Sequence, residues 1–239
     1  MEWTERTALL LGADGLARLR ASKVLVVGCG GVGAFAAEML ARAGVGHLIL
    51  LDNDLISDSN RNRQLPALIS TVGMKKCVVL AARLRDINPE LDVEVLDDYL
   101  TENNIKELIP RDLDFVVDAI DTLSPKIALI QYCLAGGIRL VSSMGSGAKY
   151  DATKVRIADI SETNMCPLAH MLRKRLHKLG IRNGFLAVYS EEPPCRESMV
   201  LEESRNKKSQ TGTISYLPAV FGCVCAQAVI TRIAGVENL

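Results

Sequence analysis

The chain is predicted to be an α/β protein: a doubly wound, mainly parallel sheet with helices on both faces, continued by a C-terminal antiparallel extension and further helices. Three observations predict this. From Lys23 to about Gly145, short apolar runs alternate with stretches of helical period, which is the pattern of βαβ units. The first of those runs ends in a glycine cluster that opens a helix. Aromatic residues make up 4% of a chain that is 49% apolar, so the core is drawn from Ala, Leu, Val and Ile, which suits helices on a parallel sheet better than an aromatic sandwich.

Each element follows from local pattern. Residues 1–22 form a helical arm. Val24-Leu25-Val26-Val27 is a continuous apolar run and a central strand. Residues 33–43 place Phe35, Ala36, Met39, Leu40 and Ala43 at helical spacing, and Gly44 stands where a C-cap is wanted. Residues 47–51 are the next strand, ending on Asp52. The helical period returns over 73–87 through Cys77, Leu80, Ala81 and Leu84, until Asn88-Pro89 stops it. Val93-Glu94-Val95-Leu96 is a strand, Thr101 caps a short helix to Leu108, and Phe115-Val116-Val117 is a buried strand ending in Asp118. Ser124-Pro125 supplies a cap and a first-turn proline for a helix over 127–134, and residues 138–141 are a fifth parallel strand.

The remainder has a different character. Residues 154–160 alternate apolar and polar, as an antiparallel half-exposed strand does. Pro167 starts an amphipathic helix with Leu168, Leu172, Leu176 and Leu179 on one side, and residues 185–189 are a short strand. Residues 190–212, with prolines, serines and mixed charges, form a mobile loop, and residues 218–234 a final buried helix.

Charge and cysteine usage narrow the function classes. Twenty-eight bases cancel twenty-eight acids, which excludes a chain-wide basic field for nucleic acid but leaves room for a local basic patch. The seven cysteines are odd in number and irregularly spaced, with no C-x-x-C pair, so they read as reduced thiols of a cytoplasmic protein and give no support to a structural zinc site. The first residues include acids and no apolar stretch, unlike a secretory signal. The apolar segment 214–230 contains Pro218 and Gln227 and is followed by Arg232, so it is expected to be a core helix, with no membrane as partner.

The chemistry concentrates between the first strand and helix. In Gly28-Cys29-Gly30-Gly31-Val32-Gly33 the glycines allow a tight turn and bring backbone amides and a helix N-terminus to a phosphate; Asp52, ending the next strand, is placed to accept ribose hydroxyls. This is a Rossmann-like nucleotide site. The loop after Asp52 decides which nucleotide: Arg61 and Arg63, with Lys75 or Lys76 one helix onset later, offer the several cations a triphosphate needs and a dinucleotide does not. Asp121, just beyond a strand's C-terminal end, suits Mg²⁺ held over phosphates, whereas Asp118 points the other way along the pleat and reads as structural.

These motifs together resemble the E1-like adenylating superfamily that includes the ThiF and MoeB proteins: Gly28-x-Gly-Gly-Val-Gly33, Ala43-Gly44-Val45-Gly46, Leu51-Asp52-x-Asp54, Ser59-Asn60-x-x-Arg63-Gln64 and Val72-Gly73-x-x-Lys76. The resemblance implies that Asp52 holds the ribose of ATP, that Asp54 belongs to the nucleotide site, and that Asn60, Arg63 and Gln64 hold the phosphates. It further implies that Lys76 reaches the transferring centre, that Asp121 binds Mg²⁺, and that Arg6 reaches into a neighbouring subunit's ATP site, hence a homodimer. It implies a single adenylation domain over 1–239, made of the arm over 1–22, a nucleotide-binding core over 23–145 and a C-terminal extension over 146–239.

Within the superfamily the chain is most similar to the tRNA threonylcarbamoyladenosine dehydratase branch, through Arg6-Thr7-x-Leu9-x-x-Gly12, Asp118-Ala119-Ile120-Asp121 with Pro125-Lys126, and Ala158-Asp159-Ile160 leading to Pro167-Leu168-Ala169. That likeness implies ATP-dependent cyclisation of the modified adenosine 37 in tRNA through an acyl-adenylate. A basic cluster on the 167 helix, Arg173, Lys174, Arg175 and Lys178, with His177, Arg182, Lys154 and Arg156 nearby, is the expected tRNA surface, a plain solvated helix face being the other reading. The alternative function is adenylation of a sulfur-carrier or ubiquitin-like protein, with a sulfur-relay or carrier protein as partner and Cys166 or Cys195 as thiol acceptor.

Overall fold

The computed structural model describes residues 3–201 and 209–236. Its centre is a seven-stranded sheet built from β1 (Lys23–Val27), β2 (His47–Leu51), β3 (Asp92–Leu96), β4 (Phe115–Asp118), β5 (Leu140–Ser143), β6 (Val155–Asp159) and β7 (Leu186–Ser190), in the order β3-β2-β1-β4-β5-β7-β6. Every neighbouring pair is parallel except β6 with β7, so the expected antiparallel extension joins the same sheet as its edge.

Side chains alternate across the sheet because the strand period is two. Val24 and Val26 of β1, with Leu48, Leu50, Phe115 and Val117, face α2 (Gly33–Ala43), α3 (Lys76–Ile87) and α7 (Tyr216–Ala234); Leu19 of α1 (Glu5–Ala21) joins them. Leu25, Val27, Ile49, Leu51 and Val116 face α4 (Ile105–Leu108), α5 (Leu123–Gly136) and α6 (Pro167–Lys178). Each layer is closed by buried apolar side chains, the dominant favourable term in folding. α7, the one helix among the described residues long and apolar enough to cross a membrane, is packed into the first of these layers.

The chain leaves β1 towards β2 on one side and returns to β4 on the other, so the order reverses between β1 and β4. At such a switch point the loops diverge and leave a crevice at the strands' C-terminal ends. Both the glycine turn after β1 and the Ala119–Asp121 turn after β4 open there.

Several boundaries differ from the sequence expectation for identifiable reasons. The α3 helix begins at Lys76 and not at 73, because Gly73, at φ +87°, and Met74 are hydrogen-bonded back to Ile56. The α5 helix is capped at Thr122, ahead of the expected Ser124, which leaves Pro125 within the first turn. Strand β5 starts two residues later than expected because Ile138 still donates to Cys133 at the α5 terminus. Strand β7 likewise starts and ends one residue later than expected. Asn104 caps α4, and Thr101 locks it by a reciprocal side-chain exchange. The expected loop over 190–212 contains a short hairpin of β8 (Met199–Leu201) and β9 (Ser209–Thr211), and the residues between those strands lie outside the described part.

The arm is not one straight helix. Gly12, with φ 75° and ψ 163°, breaks it, and the two ends meet: Arg20 donates to the Thr4 hydroxyl at 3.1 Å, and Thr4 lies beside Gly44 at the C-terminal end of α2.

Candidate nucleotide site at the β1/β4 switch point

The turn after β1 is shaped by sterics that only glycine tolerates at two of its positions. Gly28 has φ +92°, and a Cβ there would lie 2.9 Å from the Ala119 carbonyl oxygen; a Cβ on Gly33 would lie 1.8 Å from the Gly28 carbonyl oxygen. Gly31 is tight for a different reason, packing against Pro218 at the start of α7. At Gly30 a Cβ would meet only the Gln64 side chain at 3.6 Å, so the space over it is open to a ligand. The result is a compact loop whose amides and following helix N-terminus make a favourable seat for an anion.

Asp52 is built into that turn. One carboxylate oxygen accepts the Cys29 amide at 2.6 Å and the other accepts the Asp54 amide at 2.8 Å, which leaves each oxygen a lone pair for a further donor. Burial pushes its carboxyl above the ordinary range, opposed by the Lys76 ammonium and the two amides. Lys76, buried at the first residue of α3, donates to Asp54 at 2.6 Å. Asp52, Asp54 and Lys76 are thus brought together behind the glycine turn.

The loop after Asp52 folds over the turn's open side. Asn60 accepts the Ser57 amide through its side-chain oxygen and so closes the loop's own short helical turn. Arg63 donates from one nitrogen to the Ser59 carbonyl and the Asn62 side chain, both at 2.8 Å, and its side chain lies beside Gly31. Gln64 stands over Gly30, its Oε1 buried with no hydrogen-bond partner among the described residues. An orphaned acceptor of this kind fits a site completed by a ligand, since buried polar atoms are otherwise paired. Arg61 and Lys75 are committed elsewhere, to Asp58 at 3.0 Å and to Asp97 at 2.9 Å.

Asp121 is exposed in the turn after β4, the turn whose Ala119 carbonyl lies against Gly28. Among the described residues no group of three or more His, Cys, Asp and Glu side chains is disposed to hold a metal ion. One carboxylate nevertheless suffices for Mg²⁺, which takes its other ligands from phosphate and water.

Other sequence candidates lie away from this crevice. Arg6 sits two residues after Thr4, at the α2 end remote from the glycine turn; α2 has eleven residues, so the two ends are about 16 Å apart. On α6, Lys174, Arg175 and Lys178 are exposed opposite buried Ala169, Leu172 and Leu176. Leu179, expected on the buried side, is exposed because it lies past the last turn. Arg173 turns inward instead, donating to the carbonyl and hydroxyl of Thr163. The Glu191 carboxylate is paired with Arg156 at 3.1 Å and that of Glu192 accepts the amides of Tyr150 and Asp151, so neither projects as an uncompensated charge; Glu202 and Glu203 lie outside the described residues. Of the thiols, all seven free, Cys166 is buried and Cys195 is half-buried, donating to Glu197 at 3.2 Å.

A model of the ThiF family matches residues 4–239. The chain belongs to the ThiF family. Among relatives of this ThiF-family chain, the tRNA threonylcarbamoyladenosine dehydratase of Bacillus subtilis (strain 168) is 41% identical over 233 residues, covering 94% of this chain and 92% of the relative. The solved structure of the E. coli tRNA N6-threonylcarbamoyladenosine dehydratase TcdA in complex with ATP superposes with a TM-score of 0.89 at 35% identity, covering 97% of this chain and 93% of that one. The same enzyme in complex with AMP gives a TM-score of 0.88 at 36% identity.

Sequence reasoning missed the wall that α7 gives the site of this ThiF-family chain. Asn62 donates to the Thr213 carbonyl at 3.0 Å, Pro218 closes on Gly31, and Gly222 lets α7 approach the Val32 carbonyl so closely that a Cβ would come within 2.4 Å of it. The one local signal was a proline and a glycine inside an otherwise apolar helical run.

Proposed function

We infer that the protein catalyses the ATP-dependent dehydration of N6-threonylcarbamoyladenosine 37 in tRNA through an acyl-adenylate. The observation that carries this is an assembled nucleotide site, Asp52 behind the glycine turn with Arg63 and Gln64 over it, in a chain whose likeness to the ATP-binding dehydratases runs over nearly its whole length.

In the reaction a carboxylate oxygen of the threonyl group attacks the α-phosphorus of ATP and pyrophosphate leaves. The neighbouring ureido group then attacks the activated carbonyl, a proton is lost and AMP departs, for a net loss of one water. The protein's part is charge neutralisation and alignment. The glycine-turn amides and Arg63 hold the phosphates, Asp52 receives the ribose, and Lys76, swung from Asp54, meets the charge that develops at the transferring centre. Asp121 would hold Mg²⁺, which when bound neutralises phosphate charge. The ring closure is intramolecular and needs no thiol, which agrees with the burial of Cys166.

Arg6 acts on a second subunit's site in a homodimer. Its position at the far end of α2 supports this, as does the 82% exposure of Leu9 and Leu10 on the same turn of the arm, which leaves an apolar surface for a second copy. The exposed bases of α6, Lys174, Arg175 and Lys178, form the tRNA surface, and a cytoplasmic location follows from the substrate. Carrier-protein adenylation is the less supported reading, since the B. subtilis relative matched over 94% of this chain and the E. coli structure matched over 97% of it are both dehydratases.

Mass spectrometry of nucleosides from threonylcarbamoyl-modified tRNA, treated with the protein, ATP and Mg²⁺ under conditions that avoid hydrolytic reopening, tests this. An ATP-dependent loss of one water is expected. No mass change, with ATP–pyrophosphate exchange only on adding a small protein ending in Gly-Gly, would move the activity to carrier activation.

A further inference from the structure

One buried polar group near the site has no chemical part in that reaction. Asp118 ends β4, Lys126 lies near the start of α5, and both side chains are fully excluded from solvent, at 0% each, with Lys126 Nζ 2.7 Å from Asp118 Oδ2. Ser142 of β5 donates to the same oxygen at 2.7 Å, and Asp118 Oδ1 accepts the Ile120 amide at 3.1 Å. A buried ion pair adds little stability over well-packed apolar side chains of similar volume, so core stability alone does not account for it.

Its connections give it another use. Donors from α5, from β5 and from the turn after β4 converge on one carboxylate. The turn so gripped carries Ala119 at one end, whose carbonyl is the atom that confines Gly28, and Asp121 at the other. Ala119 is tied from the opposite side by its amide to the Val27 carbonyl at 2.9 Å. We propose that Asp118, Lys126 and Ser142 are positioning residues: they fix the turn after β4 from beneath, and so set both Asp121 and the Ala119 wall of the glycine turn relative to the nucleotide phosphates. Asp118 acts through the Ile120 backbone and touches no substrate. Charge-assisted hydrogen bonds are shorter and stronger than neutral ones and hold their geometry accordingly, which an apolar plug at the same place would not do. The proposal rests on the reading of the crevice as an ATP site with Asp121 facing Mg²⁺.

The test is an apolar replacement of the whole group, Asp118→Val with Lys126→Met and Ser142→Ala, measured for thermal midpoint, ATP binding as a function of Mg²⁺, and turnover. The folded variant should keep its midpoint within a few degrees yet need at least about tenfold more Mg²⁺ for half-maximal tight ATP binding, with kcat lowered by a similar factor and KM for tRNA unchanged. A folded variant with wild-type Mg²⁺ dependence and kcat overturns the proposal. Should the triple variant not fold, Ser142→Ala alone decides: it keeps the ion pair, and must raise the Mg²⁺ requirement and lower kcat with little change in midpoint. Unchanged values there overturn the proposal equally. Asp121→Asn is the control for the underlying reading. If it leaves the Mg²⁺ dependence of ATP binding untouched, the assignment of Asp121 falls and this proposal with it, whereas a large effect there with none in the triad variants removes the triad alone.

Discussion

Replacing Gly33 by alanine sets two physical effects of opposite sign against each other. At the first residue of α2, alanine is favoured over glycine by up to about 1 kcal/mol on helix propensity. Against this, the new Cβ would stand 1.8 Å from the Gly28 carbonyl oxygen, and 3.1 Å from the Ala119 side chain on its other flank. The obstacle is backbone, which cannot rotate away. Relieving the contact to a tolerable 3.0 Å requires an opening of at least 1.2 Å, the difference between the two distances. Overpacking of this kind costs about 1–3 kcal/mol, so even with the full propensity gain credited the upper end of that range leaves a net destabilisation of about 2 kcal/mol. The same opening displaces the amides that face the phosphates, and a misplacement of about 1 Å is enough to cost on the order of a hundredfold in rate. Gly30→Ala is the matched control, because its Cβ meets only the Gln64 side chain at 3.6 Å. It should leave the thermal midpoint unchanged while weakening ATP binding by intruding on the ligand's space. Thermal denaturation and calorimetric ATP titration of both variants separate the effects. A Gly33→Ala protein with a raised midpoint and wild-type ATP affinity would refute the steric account of the turn.

Three further outcomes are expected. Arg63→Ala should abolish adenylation with the fold intact, and Arg6→Ala should be inactive alone but recover in part when mixed with Arg63→Ala, because one site of the mixed dimer is then complete; a verified heterodimer without activity would place Arg6 outside the partner's site. Charge removal at Lys174, Arg175 and Lys178 should weaken tRNA binding and flatten its dependence on salt by up to about one log–log unit for each phosphate no longer neutralised, while Arg173→Ala should instead lower stability by freeing the Thr163 carbonyl; an unchanged salt slope in the triple variant would move the tRNA surface off α6. A Cys166→Ser, Cys195→Ser double variant should keep dehydration activity, measured by nucleoside mass spectrometry, and complete loss in a folded protein would favour a thiol pathway.

Much of the fold is legible in the sequence because it is local. The strand, glycine cluster, helix and terminal aspartate of the first βαβ unit are read from period and turn chemistry, which act over a few residues, and the chain follows them there almost residue for residue. The amphipathic α6 and the antiparallel β6 are legible for the same reason, since each advertises one exposed face. Local pattern fails where a distant segment competes for the same backbone. The start of α3 is drawn off by Ile56, and the hairpin of β8 and β9 depends on pairing that no alternating pattern announces.

Local pattern was enough to give the set of groups: the glycine turn, the carboxylate that ends the second strand, the cations of the following loop and the parallel core that presents them. How several of those groups are held depends on segments distant in sequence. Lys75 and Arg173 are met by Asp97 and by Thr163, which folding brought beside them, whereas Lys76 is turned to Asp54 beside the glycine turn and Lys174 stays exposed. The α7 wall over Gly31 joins residues nearly the whole chain apart, and the buried grip of Lys126 and Ser142 on Asp118 unites three elements. A hydrogen bond or a van der Waals contact reaches only a few ångströms, so whether a side chain is free or engaged depends on neighbours in space, and for these residues only the packing of the layers supplies them.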